Sequence, residues 1–174
     1  MIERAPESAA GLLAELKTQT QTAVADIRRL VYELRPPALD ELGLVGALRE
    51  QARQYALGEL SVTVAAPDGL PALPAAVEVA AYRIALEALT NVVRHADARN
   101  CQVLLRLGAG GLELLVEDDG CGIAPERLAG VGLHSMRERA AELGGSCEIA
   151  SAPGGGTRVR ALLPLPRTAQ GVGA

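Results

Sequence analysis

Phenylalanine and tryptophan are absent from the 174-residue chain, and its whole aromatic complement is Tyr32, Tyr55 and Tyr82. Stacking platforms for bases are therefore nearly missing. A net charge of −4 supplies no basic face for a phosphate backbone, so no nucleic-acid partner is expected. Lysine occurs once, at Lys17, so no GK[ST] phosphate loop exists. With two histidines, no GxSxG and no HExxH, nucleophilic hydrolase and zincin chemistry are also unsupported. Cys101, Cys121 and Cys147 are odd in number and widely spaced, which suggests ordinary thiols rather than disulfides or a zinc site. No apolar run reaches the roughly 18–20 residues of a membrane span. The start, with Glu3, Arg4 and Pro6, lacks a signal-peptide layout, so the expected location is cytoplasmic, without membrane contact by this stretch.

The composition is otherwise aliphatic and soluble, 49% apolar and 22% charged, and the chain is long enough for one domain and a helical extension. Leu13, Leu16, Thr20, Ala23, Ile27, Leu30 and Leu34 recur at steps of three and four, the seam of a long amphipathic helix. Pro36-Pro37 stops it. Its narrow stripe suits pairing with another helix, with docking on its own domain as the alternative. A second helix is expected from about Leu44 to Leu57, ended by Gly58, and Leu60 to Ala66 alternates as a strand. Ala75 to Ala96 reads as one long helix burying Val79, Tyr82, Leu86, Leu89 and Val93. Cys101–Leu107 and Leu112–Glu117 form a hairpin across a glycine-rich turn. A loop from Asp118 to about Gly130 leads to a helix over about Leu133–Leu143, and strands at Ser146–Ser151 and Thr157–Leu163 close the chain. The order predicts an α+β two-layer sandwich, a mixed sheet with helices on one face, preceded by the long amphipathic helix.

Chemistry-bearing residues gather in three places. Arg83, Glu87, Asn91 and Arg94, at steps of four, four and three, share one helix face. A carboxylate, an amide and a guanidinium can together hold a metal and its phosphates. The same face could equally be solvated, with Arg83 and Glu87 as a pair worth about 0.3–0.5 kcal/mol. Continuing the alternation of Leu112, Leu114 and Val116 puts Asp118 on the inward side, where its carboxylate wants a donor. Gly120 and Gly122 then allow a sharp bend and close approach of a flat ligand, or simply a turn with two capping aspartates. Gly130-Val131-Gly132-Leu133 opens a helix whose amino end suits phosphate. Alone it is a weak signal, and with Ser135 at the third glycine position it is no dinucleotide fingerprint.

In combination the segments resemble the C-terminal part of bacterial two-component sensor histidine kinases of the nitrate-sensor and desaturase-thermosensor type. Glu87-Ala88-Leu89-Thr90-Asn91-Val92-Val93-Arg94-His95 is similar to that family's N box, and Val116 to Ile123 to its first glycine box. Gly130 to Leu133 with Met136-Arg137-Glu138-Arg139 resembles the second glycine box, and Gly155-Gly156-Thr157 the closing motif. Ile27 to Leu30 and Leu34 to Leu39 resemble the second dimerisation helix and its exit.

The resemblance implies a Bergerat-type fold, shared with gyrase and mismatch-repair ATPases, that binds ATP and Mg2+. Residues 1–38 would be a partial dimerisation region, 39–166 the ATP-binding catalytic domain and 167–174 a flexible tail. By matched position Asn91 supplies an amide oxygen to Mg2+, and Glu87 is catalytic, holding a metal-shell water or assisting proton movement. Arg94, where the family often has lysine, contacts phosphate. Asp118 accepts from the adenine amino group, Gly120 and Gly122 shape the adenine pocket, and Thr157 adds a hydroxyl nearby. Gly130 and Gly132 flank the lid over the phosphates, and His95, Ile123 and Leu133 join the nucleotide-binding set. Asp119 stands where other branches have asparagine, with no role implied. Neither His95 nor His134 is expected as the phosphoryl acceptor, because neither has the usual acidic neighbour on a dimerisation helix. The expected activity is transfer of the γ-phosphoryl to a histidine on a helix this chain lacks, so autophosphorylation by the chain alone is not expected. Expected partners are a second copy through the N-terminal helix of a longer, membrane-anchored or soluble protein, and a response regulator. The competing readings are an anti-sigma-type serine kinase and a non-catalytic dimerising regulator.

Overall fold

The computed structural model describes residues 35–56, 59–123, 130–152 and 154–165. The helix expected over residues 13–34, the stop at Gly58 and the tail 167–174 lie outside the described residues. The chain divides into Met1–Pro37 and Ala38–Ala174, and the fold is that of the second unit.

Helix α1 spans Pro37–Tyr55, so the proline pair that was expected to end one helix also opens the next. The first helical position needs no N–H, and the proline ring presets its φ. Asp40 in the first turn and Arg53 in the last complement the helix dipole. At Gly43 φ is +64° and ψ 176°, a conformation open essentially to glycine alone, and the helix breaks there before Leu44. Leu39, Leu44, Ala47, Leu48 and Ala52 form its buried face.

Strand β1 (Ser61–Ala65) is followed by helix α2 (Ala75–Asn91). The expectation of one continuous helix to Ala96 needs correction: Val92–Ala96 is a wider π-helical turn, closed by Asp97 in the left-handed conformation. The wider turn rotates the residues beyond Asn91. Val92 and Ala96 are buried, whereas Val93, expected in the core, is 49% exposed, and Arg94 also faces outward. Thr90 spans the junction of helices, its hydroxyl donating to Leu86 O at 2.8 Å and lying 3.0 Å from the Tyr55 hydroxyl of α1.

Strands β2 (Asn100–Gly108) and β3 (Gly111–Asp118) form the expected hairpin, and helix α3 (Val131–Glu142) leads to β4 (Ser146–Ser151) and β5 (Thr157–Leu163). The sheet order is β1-β2-β3-β5-β4, with β1 parallel to β2 and every other pairing antiparallel. It is the mixed sheet the sequence predicts. Alternation does the sorting: Cys101, Val103 and Leu105, then Leu112, Leu114, Val116 and Asp118, then Thr157, Val159, Ala161 and Leu163 point to the buried side. There α2 and α3 cover the sheet and supply Ala81, Ile84, Ala85, Leu89, Met136 and Ala140 to the core. The opposite face carries cross-strand ion pairs, Arg158 with Glu117 in a two-pronged contact at 3.0 and 3.2 Å and Arg160 with Glu113 at 2.6 Å. Among the described residues no helix is long and apolar enough to cross a membrane.

Candidate nucleotide site

A cavity of about 520 Å³ opens on the helix side of the sheet, between the end of α2 with its π turn, the ends of β3 and β5, and the start of α3. Its walls are apolar: Val116 and Val159, which face each other across β3 and β5, with Ala88, Val92, Ala96, Ile123 and Leu133 around them. Four residues with polar side chains line it, Asn91, His95, Asp118 and Thr157. Strand parity puts the two deepest there. Asp118 and Thr157 occupy the next inward positions beyond the Val116–Val159 pair and are 5% and 9% exposed.

Asp118 is held rather than free to swing. Its Oδ1 accepts the Gly120 N–H at 2.9 Å, and no other described residue bonds its carboxylate. The remaining oxygen accepts from no described residue. Two glycines make the loop above it possible. A β-carbon on Gly156, whose φ is +82°, would overlap Asp118 O, and one on Gly120 would overlap Ala96 O. The π turn and the glycine loop are thereby locked together, with Cys121 N–H donating to Ala96 O at 2.7 Å and its thiol lying 3.3 Å from His95 O. Cys101, the register partner of Asp118, has its thiol pushed up to about 12, chiefly by burial and further by the Asp118 and Asp119 charges. Burial likewise raises Cys147 to about 11, so both remain neutral thiols, as their sequence setting suggests.

Asp119 has a structural task that sequence reasoning left without a role. Its Oδ1 accepts from Arg99 N–H at 2.9 Å and Asn100 N–H at 2.8 Å, and its Oδ2 from the Asn100 amide at 2.8 Å. It clamps the start of β2 to the end of β3. These bonds, the Asn100 backbone one foremost, hold its carboxyl below the usual carboxylate range.

Asn91, the last residue of α2, has its Nδ2 buried without a hydrogen-bond partner. A buried amide N–H without a partner costs about 1–3 kcal/mol, and the amide oxygen of the same group can accept or ligate whether or not that N–H is paired. One turn earlier Glu87 lies half-buried, its carboxylate against Gly132 at the start of α3. Gly130 precedes that helix without a side-chain cap, and the first turn, Gly130 to Leu133, lines the cavity. An amide and a carboxylate beside such an amino end fit Mg2+, which keeps water and substrate phosphates as most of its ligands.

Of the residues singled out by sequence, Asn91, His95, Asp118, Gly122, Ile123, Gly130, Gly132, Leu133 and Thr157 line the one cavity. Glu87 borders it through Gly132, and Gly120 supports it from behind. Arg94 does not line it, because the π turn carries its side chain to the exposed side. His134 lies 3.1 Å from Glu138, an acidic neighbour that sequence reading missed although the pair stands at i,i+4 on α3. The apolar walls Val116 and Val159 were missed as site residues too, yet the alternation that turned Asp118 inward carries them with it.

Residues 76–167 match the family described as histidine kinase-, DNA gyrase B- and HSP90-like ATPase. The chain is 31% identical over 176 residues to an uncharacterized sensor-like histidine kinase of Chloroflexus aurantiacus, covering 95% of this chain and 30% of that protein. It is 35% identical over 148 residues to the sensor histidine kinase MctS of Rhizobium johnstonii, covering 82% of this chain and 32% of that one. The chain thus spans about a third of the length of these relatives. Its fold is similar to the histidine kinase domain of the blue-light activated histidine kinase of Erythrobacter litoralis EL346, with a TM-score of 0.64 at 22% identity over 90% of this chain and 85% of that one.

Proposed function

Because the chain belongs to the family of histidine kinase-, DNA gyrase B- and HSP90-like ATPases, we propose that its cavity binds Mg·ATP as the catalytic part of a two-component sensor histidine kinase. The observation that carries this reading is Asp118, a buried carboxylate with one oxygen unclaimed at the end of a slot walled by Val116 and Val159. Adenine matches it, being a flat apolar ring with an exocyclic amino group that needs an acceptor. Thr157 offers a hydroxyl beside the same edge. The triphosphate then runs toward the uncapped amino end of α3. Asn91 and Glu87 would hold Mg2+, Asn91 through its amide oxygen and Glu87 through water. The ion supplies neutralisation of phosphate charge during transfer.

Transfer breaks the bond from the β–γ bridging oxygen to the γ-phosphorus and forms one from a histidine nitrogen to that phosphorus, leaving ADP. Glu87 either orients the incoming imidazole or takes its proton, and most of the acceleration comes from positioning and charge stabilisation. The acceptor histidine would lie on a dimerisation helix of a paired chain, with a response regulator receiving the phosphoryl group next. Arg94 sits outside the cavity and would reach phosphate only by a side-chain swing. Sequence likeness to sensor histidine kinases supports the two-component assignment.

Calorimetric titration with Mg·ADP tests the reading, with Asp118→Ala beside it. A hydrogen bond to a charged group contributes about 1.5–3 kcal/mol, so the variant should bind about 10- to 150-fold more weakly. A folded Asp118→Ala chain with unchanged affinity would remove the adenine assignment. Label passed from γ-labelled ATP to an added histidine-bearing dimerisation segment should be acid-labile; an acid-stable product would instead indicate a serine kinase.

A further inference from the structure

Gly132 is a glycine with no backbone reason to be one. It lies in the first turn of α3, its φ is not in the left-handed region, and glycine weakens a helix relative to alanine. Its neighbour supplies the reason. A β-carbon there would overlap the Glu87 carboxylate oxygen Oε1 and stand 2.9 Å from Cδ and 3.5 Å from Cγ. The three atoms nearest that position all belong to Glu87, so the space denied to a side chain at position 132 is the space the Glu87 head group fills. Among the described residues Glu87 has no ion pair.

We infer that Gly132 is a positioning residue: its missing side chain forms the seat that sets where the Glu87 carboxylate stands between Asn91 and the start of α3. The inference rests on the reading of Glu87 as the carboxylate that serves phosphoryl transfer. The contact also works in the other direction. At this point the start of α3 packs on α2 through a carboxylate that meets a bare α-carbon, so a side chain at either position constrains the other.

The far end of a glutamate is flexible, and alanine is the better helix former, so Gly132→Ala should fold normally with an unchanged or slightly higher Tm. The carboxylate, however, must move. Transfer from ATP to an added acceptor-histidine segment should fall at least about tenfold. The discriminating comparison is the same substitution in a Glu87→Asp chain, whose shorter carboxylate no longer reaches position 132. There Gly132→Ala should cost nothing further. An equal loss in both backgrounds, or no loss with Glu87 present, overturns the inference. A readout independent of activity accompanies it: in the nucleotide-free protein the 13C carboxyl resonance of Glu87 should shift in Gly132→Ala, and an unmoved resonance also overturns it. Failure of the wild-type chain to bind Mg·ADP would instead sink the nucleotide reading and leave the resonance test standing.

Discussion

Replacing Asn91 by alanine removes a side chain whose amide nitrogen is buried and unpaired, so the nucleotide-free protein should lose nothing and gain stability. The unsatisfied amide costs about 1–3 kcal/mol, and alanine gains about another 0.5 kcal/mol in a helix. Because Asn91 is only half-buried, the lower part of that range applies, giving a net stabilisation of about 1–2 kcal/mol. For a folded unit of this size, 1 kcal/mol corresponds to about 2–4 °C, so Tm should rise by about 2–8 °C. The same variant should lose most of the Mg2+-dependent part of ADP binding. Thermal unfolding with and without nucleotide, at fixed Mg2+, reads both effects in one experiment. The two must move in opposite directions, the signature of a polar group kept for a ligand at the expense of the fold. A nucleotide-free Asn91→Ala chain destabilised by more than about 1 kcal/mol would mean that the amide is engaged within the fold, and the reasoning would fail. Unchanged Mg·ADP affinity would refute the ligand role by itself.

Asp119 predicts an acid limb. Its folded-state carboxyl is held below its ordinary value by the Asn100 and Arg99 bonds. Its contribution is therefore complete above about pH 4–5 and disappears as pH falls through the lowered value. Tm measured from neutral pH downward should decline less steeply in Asp119→Ala, and superimposable acid limbs would show the clamp to be inert. Leu48 of α1 is fully buried in the core, and Leu48→Ala should cost about 2–5 kcal/mol in urea unfolding at unchanged m-value. A cost below about 1 kcal/mol would mean that α1 is not packed as a part of the cooperative unit.

The strands were readable because their signal is local. Ser146–Ser151 and Thr157–Leu163 alternate between glycine-rich turns, and both have the expected bounds. The same period of two turned Asp118 inward before any partner strand was known, since parity along one strand decides which face a side chain joins. Helix existence was equally local, through period and proline. The N-box and glycine-box residues were picked out through the family resemblance, and most of them line one cavity.

Contacts distant in sequence decided the rest. A spacing of 3.6 carries the long helix through to Ala96, yet Val92–Ala96 is wider, and its end is held by the Cys121 N–H and by the close approach of Gly120, two dozen positions further on. Val93 and Arg94 lie on the exposed side of that wider turn, and His95 lies at the cavity's lining. Asp119 acquires its purpose only when Arg99 and Asn100 arrive beside it. Gly132 acquires its purpose only when α3 lies against α2 and meets Glu87. Backbone periodicity and turn chemistry are properties of a few consecutive residues, so the amino-acid sequence by itself determined the elements, their faces and the inventory of polar groups. Helix widening and steric exclusion depend on which atoms meet across the fold, and for those only the tertiary structure decided the outcome.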